Sequence, residues 1–202
     1  LPIPIYSLLN IKKYKSPYAK RSPFVSMVRS RGCPYDCTFC GNPQMFGRTF
    51  RCQTPERTIK EIDYLVKEFN VKEISFKDTE LTLDRNLEKL CDLLIERHHN
   101  IIWSCNGRVN NVNERLLNKM KKAGCYSITF GIESGNEEIL KHLKKPITRN
   151  EARLAVKIAK KASLQVVANF MIGNPFDTKE TIGQTIAFAR ELNADYAYFG
   201  FT

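Results

Sequence analysis

The sequence predicts an α/β fold in which a parallel sheet curls into a partial (β/α)6 barrel, TIM-like but open along one side. Short apolar runs alternate with amphipathic helical patterns along the 202 residues, and this alternation is typical of βαβ units in a parallel sheet. Right-handed crossovers between parallel strands curl such a sheet toward a barrel. The six predicted strands are fewer than the eight of a closed barrel. We therefore expect an open side that admits a large substrate or is covered by another domain.

Each predicted element has a local signal in the sequence. Helix starts are assigned from capping residues, because their side chains accept hydrogen bonds from the free N–H groups of a first turn. The predicted capping residues are Thr54, Asp84, Asn113 and Thr178. The predicted strands cover residues 24–29, 71–76, 101–105, 126–131, 164–172 and 194–201. The predicted helices cover residues 55–69, 87–94, 114–120, 137–143, 148–162 and 179–192. Residues 41–48 are predicted to be turn-like.

Two parts of the chain are predicted. Residues 1–23 are rich in Pro and basic residues without clear periodicity, so we expect a basic, extended arm or linker. Residues 24–202 are predicted to form the core domain. Because the sequence begins with Leu1 rather than Met and ends inside an apolar run, we expect this core to be an excerpt, truncated at both ends, with flanking domains outside it.

The charge of the chain is strongly positive. The formal net charge is +11, and residues 1–31 contain lysines and arginines but no acid. The tyrosines among these cations are compatible with RNA binding through phosphate contacts and stacking. Charge runs are more commonly solvated surface. An arm packed under the barrel, or against an upstream domain, is therefore the favoured interpretation, and nucleic acid is the less favoured partner.

The cysteine count and the hydropathy indicate the cellular setting. Seven cysteines, an odd number bunched at one point, do not resemble a disulfide framework. A reducing, cytoplasmic setting fits them better. No apolar run approaches the length of a membrane span and no signal peptide opens the sequence, so no membrane partner is expected.

The chemistry is predicted to centre on residues 31–41, where Cys33, Cys37 and Cys40 follow the spacing C-x3-C-x2-C. Such close spacing suits a loop whose thiolates converge on one inorganic centre, and iron–sulfur clusters are held by thiolates, usually four. Three thiolates leave one iron of a cubane cluster open, and an open position marks a reactive metal site. The alternatives are a structural zinc knuckle and a chance group of core cysteines. No His occurs before His98 to complete a zinc site.

This cysteine spacing, with the aromatic Phe39 directly before the last cysteine, resembles the cluster loop of the radical S-adenosylmethionine (SAM) superfamily. The resemblance covers nearly the whole chain from Phe24 onward and implies the partial-barrel fold of that family. It also implies a [4Fe-4S] cluster ligated by Cys33, Cys37 and Cys40, with SAM bound to the open iron. The implied reaction is reductive cleavage of SAM to a 5′-deoxyadenosyl radical, which requires an electron donor such as flavodoxin or ferredoxin.

The topology selects further site residues without reference to any family. Active residues of parallel α/β folds come from loops at the carboxyl ends of strands. Polar or glycine residues follow the second to fifth predicted strands. We expect them to surround, together with the cysteine loop, the opening of the barrel at the carboxyl ends of its strands, which we call the mouth. These residues are Asp78, Thr79, Glu80, Asn106, Arg108, Glu133, Ser134, Gly173 and Asn174.

The resemblance implies roles for these residues in SAM binding. Asp78, Thr79 and Glu80 occupy the place of the loop that contacts the methionyl amine. Glu133 is assigned to the ribose or the amine, and Ser134 to the carboxylate.

The end of the fifth predicted strand resembles the strand that lines the adenine in the superfamily, with Met171, Ile172 and Gly173 as the contacts. The turn that follows departs from the family pattern Gly-x-Pro-Gly-Glu-Thr, because Phe176 replaces a glycine and Asp177 replaces a glutamate. Four further residues are cofactor-binding candidates: Tyr35, Phe39, Asn106 and Arg108.

The resemblance is closest to the cobalamin-dependent group of the superfamily, as judged from residues 32–35, 46–48 and 131–135. It implies cobalamin bound by a Rossmann-like domain outside this sequence, and methyl transfer to a substrate that the sequence does not identify. The alternative enzyme is a transfer-RNA methylthiotransferase. The alternative from another class is a non-catalytic iron–sulfur or zinc module that binds nucleic acid.

The four remaining cysteines are not expected to bind the cluster. Cys91 lies on an apolar helical stripe and Cys125 precedes a strand, so both are predicted to be core residues. Cys105 ends a strand and is a weak candidate for the mouth. Cys52 is rejected as a fourth ligand because a fourth thiolate would block SAM.

Overall fold

A computed structural model describes residues 2–202. The strands are β1 Phe24–Met27, β2 Ser30–Arg31, β3 Arg51–Cys52, β4 Glu73–Phe76, β5 Ile102–Gly107, β6 Cys125–Glu133, β7 Gln165–Ile172 and β8 Tyr196–Phe201. The α-helices are α1 Asn42–Phe46, α2 Pro55–Phe69, α3 Leu87–Arg97, α4 Glu114–Lys122, α5 Glu137–His142, α6 Arg149–Lys161 and α7 Lys179–Leu192.

Six strands form one parallel sheet in the order β1-β4-β5-β6-β7-β8. Neighbouring strands follow one another in the chain, and helices α2 to α7 fill the connections. The predicted open, six-stranded α/β barrel is therefore confirmed. This topology brings every strand's carboxyl end to the same edge of the sheet, which is where ligands bind in such folds.

A second, two-stranded sheet was not predicted. β2 and β3 pair antiparallel and bracket the cysteine loop, residues 32–50. Each strand has only two residues, too few for an alternating pattern to be recognised. The predicted turn-like segment also differs, because residues Asn42–Phe46 form the short helix α1.

The core lies between the sheet and the helices. Its largest fully buried side chains include Trp103, Phe76, Phe130 and Phe170. The Trp103 ring meets Phe76 edge to face, with centroids 5.5 Å apart, and its indole N–H donates to the Ala123 carbonyl at 2.8 Å. The indole is therefore buried with its polar group satisfied, as buried Trp requires.

Three of the four predicted helix caps are confirmed. Thr54, Asn113 and Thr178 each accept a backbone N–H of the following first turn. The prediction for Asp84 is wrong, because α3 begins at Leu87 without a side-chain cap. The Asp84 carboxylate instead accepts a hydrogen bond from the buried Arg29 guanidinium at 2.7 Å.

The N-terminal arm is more ordered than the sequence indicates. Residues Tyr6–Leu8 and Ile11–Lys13 form short 3-10 turns, and Tyr6 and Ile11 are buried. The Tyr6 hydroxyl donates to the Glu61 carboxylate of α2 at 2.7 Å. The arm thus packs on the core, while the domain division at residue 23 stays a prediction. No helix in residues 2–202 is long and apolar enough to cross a membrane.

Candidate active site at the carboxyl ends of the strands

The cysteine loop is held by backbone hydrogen bonds at both of its ends. The Cys33 amide donates to the Gly47 carbonyl at 3.3 Å, and the Thr38 amide donates to the Leu143 carbonyl beyond α5 at 3.0 Å. Cys33 is buried, whereas Cys37 and Cys40 are half-buried. Two of the three thiols of the loop are therefore partly accessible to solvent.

Gly32 sets the geometry of this loop. Its φ is +86°, and a Cβ at this position would clash with the Thr49 carbonyl oxygen. Both facts require glycine, because L-residues rarely adopt this conformation. Gly41, in the same loop, has no atom within 4 Å of the position of a Cβ.

We expect Gly32→Ala to reduce the iron retained by the loop at least severalfold, because the alanine forces the β2–β3 pair apart beside Cys33. The measurement is iron and sulfide content after anaerobic reconstitution, with Gly41→Ala as the matched control. Equal iron content in the two variants would show that the Gly32 conformation does not matter for the loop.

Arg108 lies beneath the cysteine loop, although the sequence gives no sign that it is buried. Its exposed fraction is 2%, and its guanidinium carbon lies 3.5 Å from the centroid of the Tyr35 ring. Burial raises the pKa of the Cys37 thiol, and the positive charge of Arg108 opposes this larger effect. The predicted candidates Arg108 and Tyr35 are therefore brought together next to Cys37.

The loop after β4 contacts the cysteine loop through hydrogen bonds. The Thr79 hydroxyl donates to Asn42 Oδ1 at 3.1 Å, and Asn42 Nδ2 donates to the Cys40 sulfur at 3.4 Å. Asn106 Nδ2 donates to the Asp78 carbonyl at 3.0 Å. Thr79 and Asn106 therefore support the site through their neighbours, and Asn42 is a site residue that sequence reasoning missed.

Asp78 is fully buried, and only one of its two carboxylate oxygens is hydrogen-bonded within residues 2–202. Its Oδ1 accepts hydrogen bonds from the Arg29 amide at 3.2 Å and from the Ser30 hydroxyl. Its Oδ2 is buried without a hydrogen-bond partner among the described residues. Burial raises the pKa of this carboxyl, because the charged form is poorly solvated there.

Glu80 is the second acidic residue of this loop, and it is half-buried. Its Oε2 has no hydrogen-bond partner in the part of the chain that the structure describes. Burial raises the pKa of Glu80, and the nearby Lys145 and Arg108 cations oppose that rise. A buried carboxylate oxygen without a partner is costly, so the Oε2 atom of Glu80 is suited to a cationic ligand.

Glu133 and Lys145 form a buried ion pair at the mouth. Lys145 Nζ lies 2.9 Å from Glu133 Oε1, with side-chain exposures of 4% and 10%. Glu133 has a φ of +70° at the point where the β6–β7 register shifts, which turns its side chain out of the regular strand alternation. Lys145 was missed because it follows α5 in a loop without any pattern.

Ser134 and Phe39 differ in burial and in the contacts of their side chains. The Ser134 hydroxyl is fully buried, lies 3.1 Å from the Thr185 hydroxyl and accepts the Asn136 amide. These contacts make it part of the connection to α7. Phe39 is 38% exposed and no ring contact of it is found among residues 2–202, so its role stays a prediction.

The end of β7 provides an apolar wall. Met171 and Ile172 are half-buried, and Gly173 has a φ of +88°. The amides of Gly173 and Asn174 both donate to Asp177 Oδ2, at 3.1 and 2.9 Å. Asp177 thus fixes the turn that departs from the family pattern.

The thiols and the charged side chains of the mouth have properties that suit the cluster and SAM that the resemblance implies. Burial raises the pKa of the Cys33 and Cys37 thiols, and the Lys145 and Arg108 cations oppose this at Cys37. Buried atoms without partners within residues 2–202 are Asp78 Oδ2, Glu80 Oε2 and Arg108 Nη2. The two carboxylate oxygens can accept hydrogen bonds from an amine, and the Arg108 nitrogen can donate to a carboxylate. The residues therefore fit a zwitterionic ligand that lies beside a thiolate-bound centre.

No three His, Cys, Asp or Glu side chains within the described residues converge as ligands of a single metal ion. A cubane cluster places its protein ligands on different irons, so its thiolates lie farther apart than those around one zinc ion.

Three of the four other cysteines are buried in the hydrophobic core. Cys91, Cys105 and Cys125 are buried in the core, so the weak assignment of Cys105 to the mouth is wrong. Cys52 lies in β3, and burial raises the pKa of its thiol to about 12.

An open α/β barrel with three thiols and unpaired buried charges at its mouth defines a cofactor-dependent enzyme core. The profile of the Radical SAM superfamily matches residues 27–189, and the chain therefore belongs to the Radical SAM superfamily. This superfamily uses a [4Fe-4S] cluster and SAM.

Among curated proteins, the chain is similar to the uncharacterized methyltransferase PH0819 of Pyrococcus horikoshii, at 40% identity over 98% of this chain and 43% of that protein. It is also similar to the anaerobic magnesium-protoporphyrin IX monomethyl ester cyclase of Rubrivivax gelatinosus, at 31% identity over 96% of this chain and 35% of that protein. The chain thus spans less than half the length of these relatives.

A solved structure shows the same fold. The radical SAM methyltransferase TsrM of Kitasatospora setae, with cobalamin and a [4Fe-4S] cluster bound, superposes with a TM-score of 0.81 at 18% identity. The match covers 87% of this chain and 34% of TsrM.

Proposed function

We propose that this chain is the catalytic core of a radical SAM methyltransferase whose cobalamin is bound by a domain outside it. The observation that carries the proposal is that Glu80, whose Oε2 atom has no partner among the described residues, lies close enough to the loop of Cys33, Cys37 and Cys40 to add to the rise that burial causes in the pKa of Cys33. The methyltransferase relative PH0819 supports methyl transfer, and the cobalamin bound in TsrM supports the cobalamin dependence.

The three cysteines are assigned as ligands of the [4Fe-4S] cluster. When bound, the cluster and SAM together supply the electron transfer that cleaves a carbon–sulfur bond of SAM. Arg108 and Lys145 lie close enough to the Cys37 thiol to oppose the rise of its pKa, so they favour the thiolate that a ligand requires. Asn42 adds a hydrogen bond to the Cys40 sulfur, which tunes the potential of such a centre.

The charged residues of the mouth are assigned to the two ends of the methionyl group. Glu80 Oε2 lacks a partner among the described residues and accepts the methionyl amine. Arg108 Nη2, likewise unpaired there, donates to the carboxylate, with Lys145 adding positive charge. Glu133 holds the Lys145 ammonium at 2.9 Å and is positioned for the ribose.

The apolar wall at the end of β7 is assigned to the adenine. Met171 and Ile172 provide the contact surface, and Gly173 lets the backbone approach closely. Asp78 and Thr79 contact Arg29, Ser30 and Asn42 rather than leaving their polar groups free. We therefore assign them to holding the cysteine loop beside the SAM site.

We expect Glu80→Gln to weaken SAM binding about ten- to a hundredfold, because it removes a charge-assisted hydrogen bond worth about 1.5–3 kcal/mol. The measurement is equilibrium dialysis of labelled SAM against the anaerobically reconstituted protein. Glu138→Gln on the surface of α5 is the matched control, because that carboxylate is 69% exposed and should leave the affinity unchanged.

The effect of Glu80→Gln on the stability of the protein can also be measured without SAM. Because the folded-state pKa of Glu80 is raised above its ordinary value of 4.5, folding favours the protonated form, and stability is lost as the pH rises through the folded-state pKa. Glu80→Gln should therefore raise the urea midpoint of the ligand-free protein at alkaline pH while it lowers SAM affinity. A variant that binds SAM like the wild type would contradict the assignment.

The reaction class is tested by its products. The reconstituted protein, reduced chemically and supplied with SAM, is assayed for 5′-deoxyadenosine, and for S-adenosylhomocysteine with and without added cobalamin. Radical cleavage predicts the first product, and cobalamin-dependent methyl transfer predicts that the second requires cobalamin. Neither product under any condition would contradict the proposed function.

A further inference from the structure

The outer surface of the cysteine loop is unusually basic. Arg31, Arg48 and Arg51 are all exposed on the segment that carries the cysteines, and Asp36 is the only acid before Glu56 in the sequence. Arg48 pairs with Asp36 at 2.6 Å. The positive charge of Arg31 and Arg51 is therefore left uncompensated by any acid of this segment.

The two uncompensated arginines lie directly opposite each other. Arg31 of β2 and Arg51 of β3 are a cross-strand pair of the antiparallel hairpin. Arg51 donates to the carbonyls of Thr49 and Phe46, at 2.9 and 2.7 Å, whereas the Arg31 side chain has no hydrogen bond or ion pair within residues 2–202. Like charges directly opposite each other destabilise a strand pair. The hairpin thus contains two arginines that repel each other, and an anionic surface bound to them would reduce this repulsion.

An apolar patch lies beside these charges. Met45 is 73% exposed and Phe46 is 36% exposed, and helix α1, which carries both, has no buried residue. Arg51 contacts the carbonyl of Phe46, so the charges and the patch are contiguous. An apolar centre with a charged rim is the usual composition of a protein interface.

We propose that Arg31, Met45, Phe46, Arg48 and Arg51 form the docking surface for a small acidic one-electron carrier protein of the flavodoxin or ferredoxin class. This inference rests on the proposed function, because a carrier is needed only if the loop holds a cluster that must be reduced. The surface lies on the loop that carries the three cysteines and on the two strands that bracket it, and electron transfer requires a short separation of the two centres. The carrier loses one electron and the cluster gains it, with no bond made or broken.

Charge complementarity favours this partner, and the small size of the patch suits the weak, transient encounters of redox proteins. The positive rim raises the association rate with an acidic partner and makes it sensitive to salt. Single-stranded RNA, the other polyanion that a basic surface attracts, is an outcome of the test.

The test is the affinity of an acidic flavodoxin, measured by fluorescence anisotropy of its flavin, for the wild type and Arg31→Glu. At an ionic strength of about 0.01 M we expect Arg31→Glu to bind about tenfold more weakly, and at about 1 M the difference should disappear because the charges are screened. Lys157→Glu is the matched control, since Lys157 is an exposed cation of α6 and the charge change is the same.

Loss of folding does not account for the expected result. Arg31→Glu places a carboxylate opposite Arg51 and converts a repulsive pair into an attractive one, so its melting temperature should equal or exceed that of the wild type. Equal flavodoxin affinity of Arg31→Glu and Lys157→Glu would overturn the proposal. So would a result in which Arg31→Glu loses binding to oligouridine but retains the flavodoxin.

A turnover assay separates the two proposals. With dithionite in place of the carrier, Arg31→Glu should form 5′-deoxyadenosine at the wild-type rate, and with reduced flavodoxin at about a tenth of that rate. If dithionite gives no product in the wild type, the proposed function fails, whereas the binding measurement still decides the docking surface.

Discussion

Replacement of Cys37 by alanine is expected to remove the iron–sulfur absorbance of the reconstituted protein and to lower 5′-deoxyadenosine formation more than about a hundredfold. Loss of a residue that merely supports a metal ligand already costs about ten- to a hundredfold, and Cys37 is assigned as a ligand itself. The buried Arg108 cation lies close enough to the Cys37 thiol to oppose the rise that burial causes in its pKa, which favours the thiolate that a ligand requires. The measurement combines the visible spectrum, the iron content and product analysis under anaerobic conditions.

Cys52→Ala is the matched control for this substitution. Cys52 is a free, half-buried cysteine close to the loop in sequence, but it lies in β3, where burial raises the pKa of its thiol to about 12. It should therefore retain the cluster and the activity. Retention of the cluster in Cys37→Ala, or equal losses in both variants, would show that the ligand set is wrong.

Replacement of Lys145 by methionine is expected to destabilise the protein by about 3–5 kcal/mol, because it leaves a buried carboxylate without its partner. The Glu133–Lys145 pair is almost completely buried, with an N–O distance of 2.9 Å. A change of this size exceeds what a surface salt bridge contributes. It would appear in urea unfolding as a lower midpoint with an unchanged slope.

The double variant Lys145→Met/Glu133→Gln separates stability from function. It removes both charges of the pair, so most of the lost stability should return. SAM affinity should stay low in the double variant, because the positive charge assigned to the carboxylate of SAM is absent. If SAM binds normally once stability is restored, the pair has only a structural role. Lys157→Met on the exposed face of α6 is the control for loss of a lysine.

The main features of the site were predictable from the sequence because they depend on topology. Parallel strands bring their carboxyl ends to one edge, so polar residues such as Glu80 and Arg108 that directly follow a strand had to meet at the mouth. The cysteine spacing then identified the chemistry. The observed strand order β1-β4-β5-β6-β7-β8 agrees with the predicted βαβ units, because sequential units place neighbouring strands side by side.

The contacts that depend on side-chain packing were not predictable. Lys145 lies in a loop after a short helix, and nothing in its sequence position indicates that it meets Glu133. Asp84 resembles a helix cap, but pairing with the buried Arg29 outweighs a cap worth about 1 kcal/mol. Ser134 follows a strand like the other candidates, yet its hydroxyl contacts the Thr185 hydroxyl. In each case the side chain contacts a tertiary partner that is distant in sequence.

The most direct test of the account is the electron paramagnetic resonance spectrum of the chemically reduced, reconstituted protein, recorded with and without SAM. We expect a reduced-cluster signal that shifts when SAM is added, together with 5′-deoxyadenosine in the same mixture, because three thiolates leave one iron open to SAM. Both observations should be absent in Cys37→Ala. A spectrum that ignores SAM, or a protein that takes up zinc instead of a cluster, would contradict the central claim and favour a non-catalytic metal-binding module.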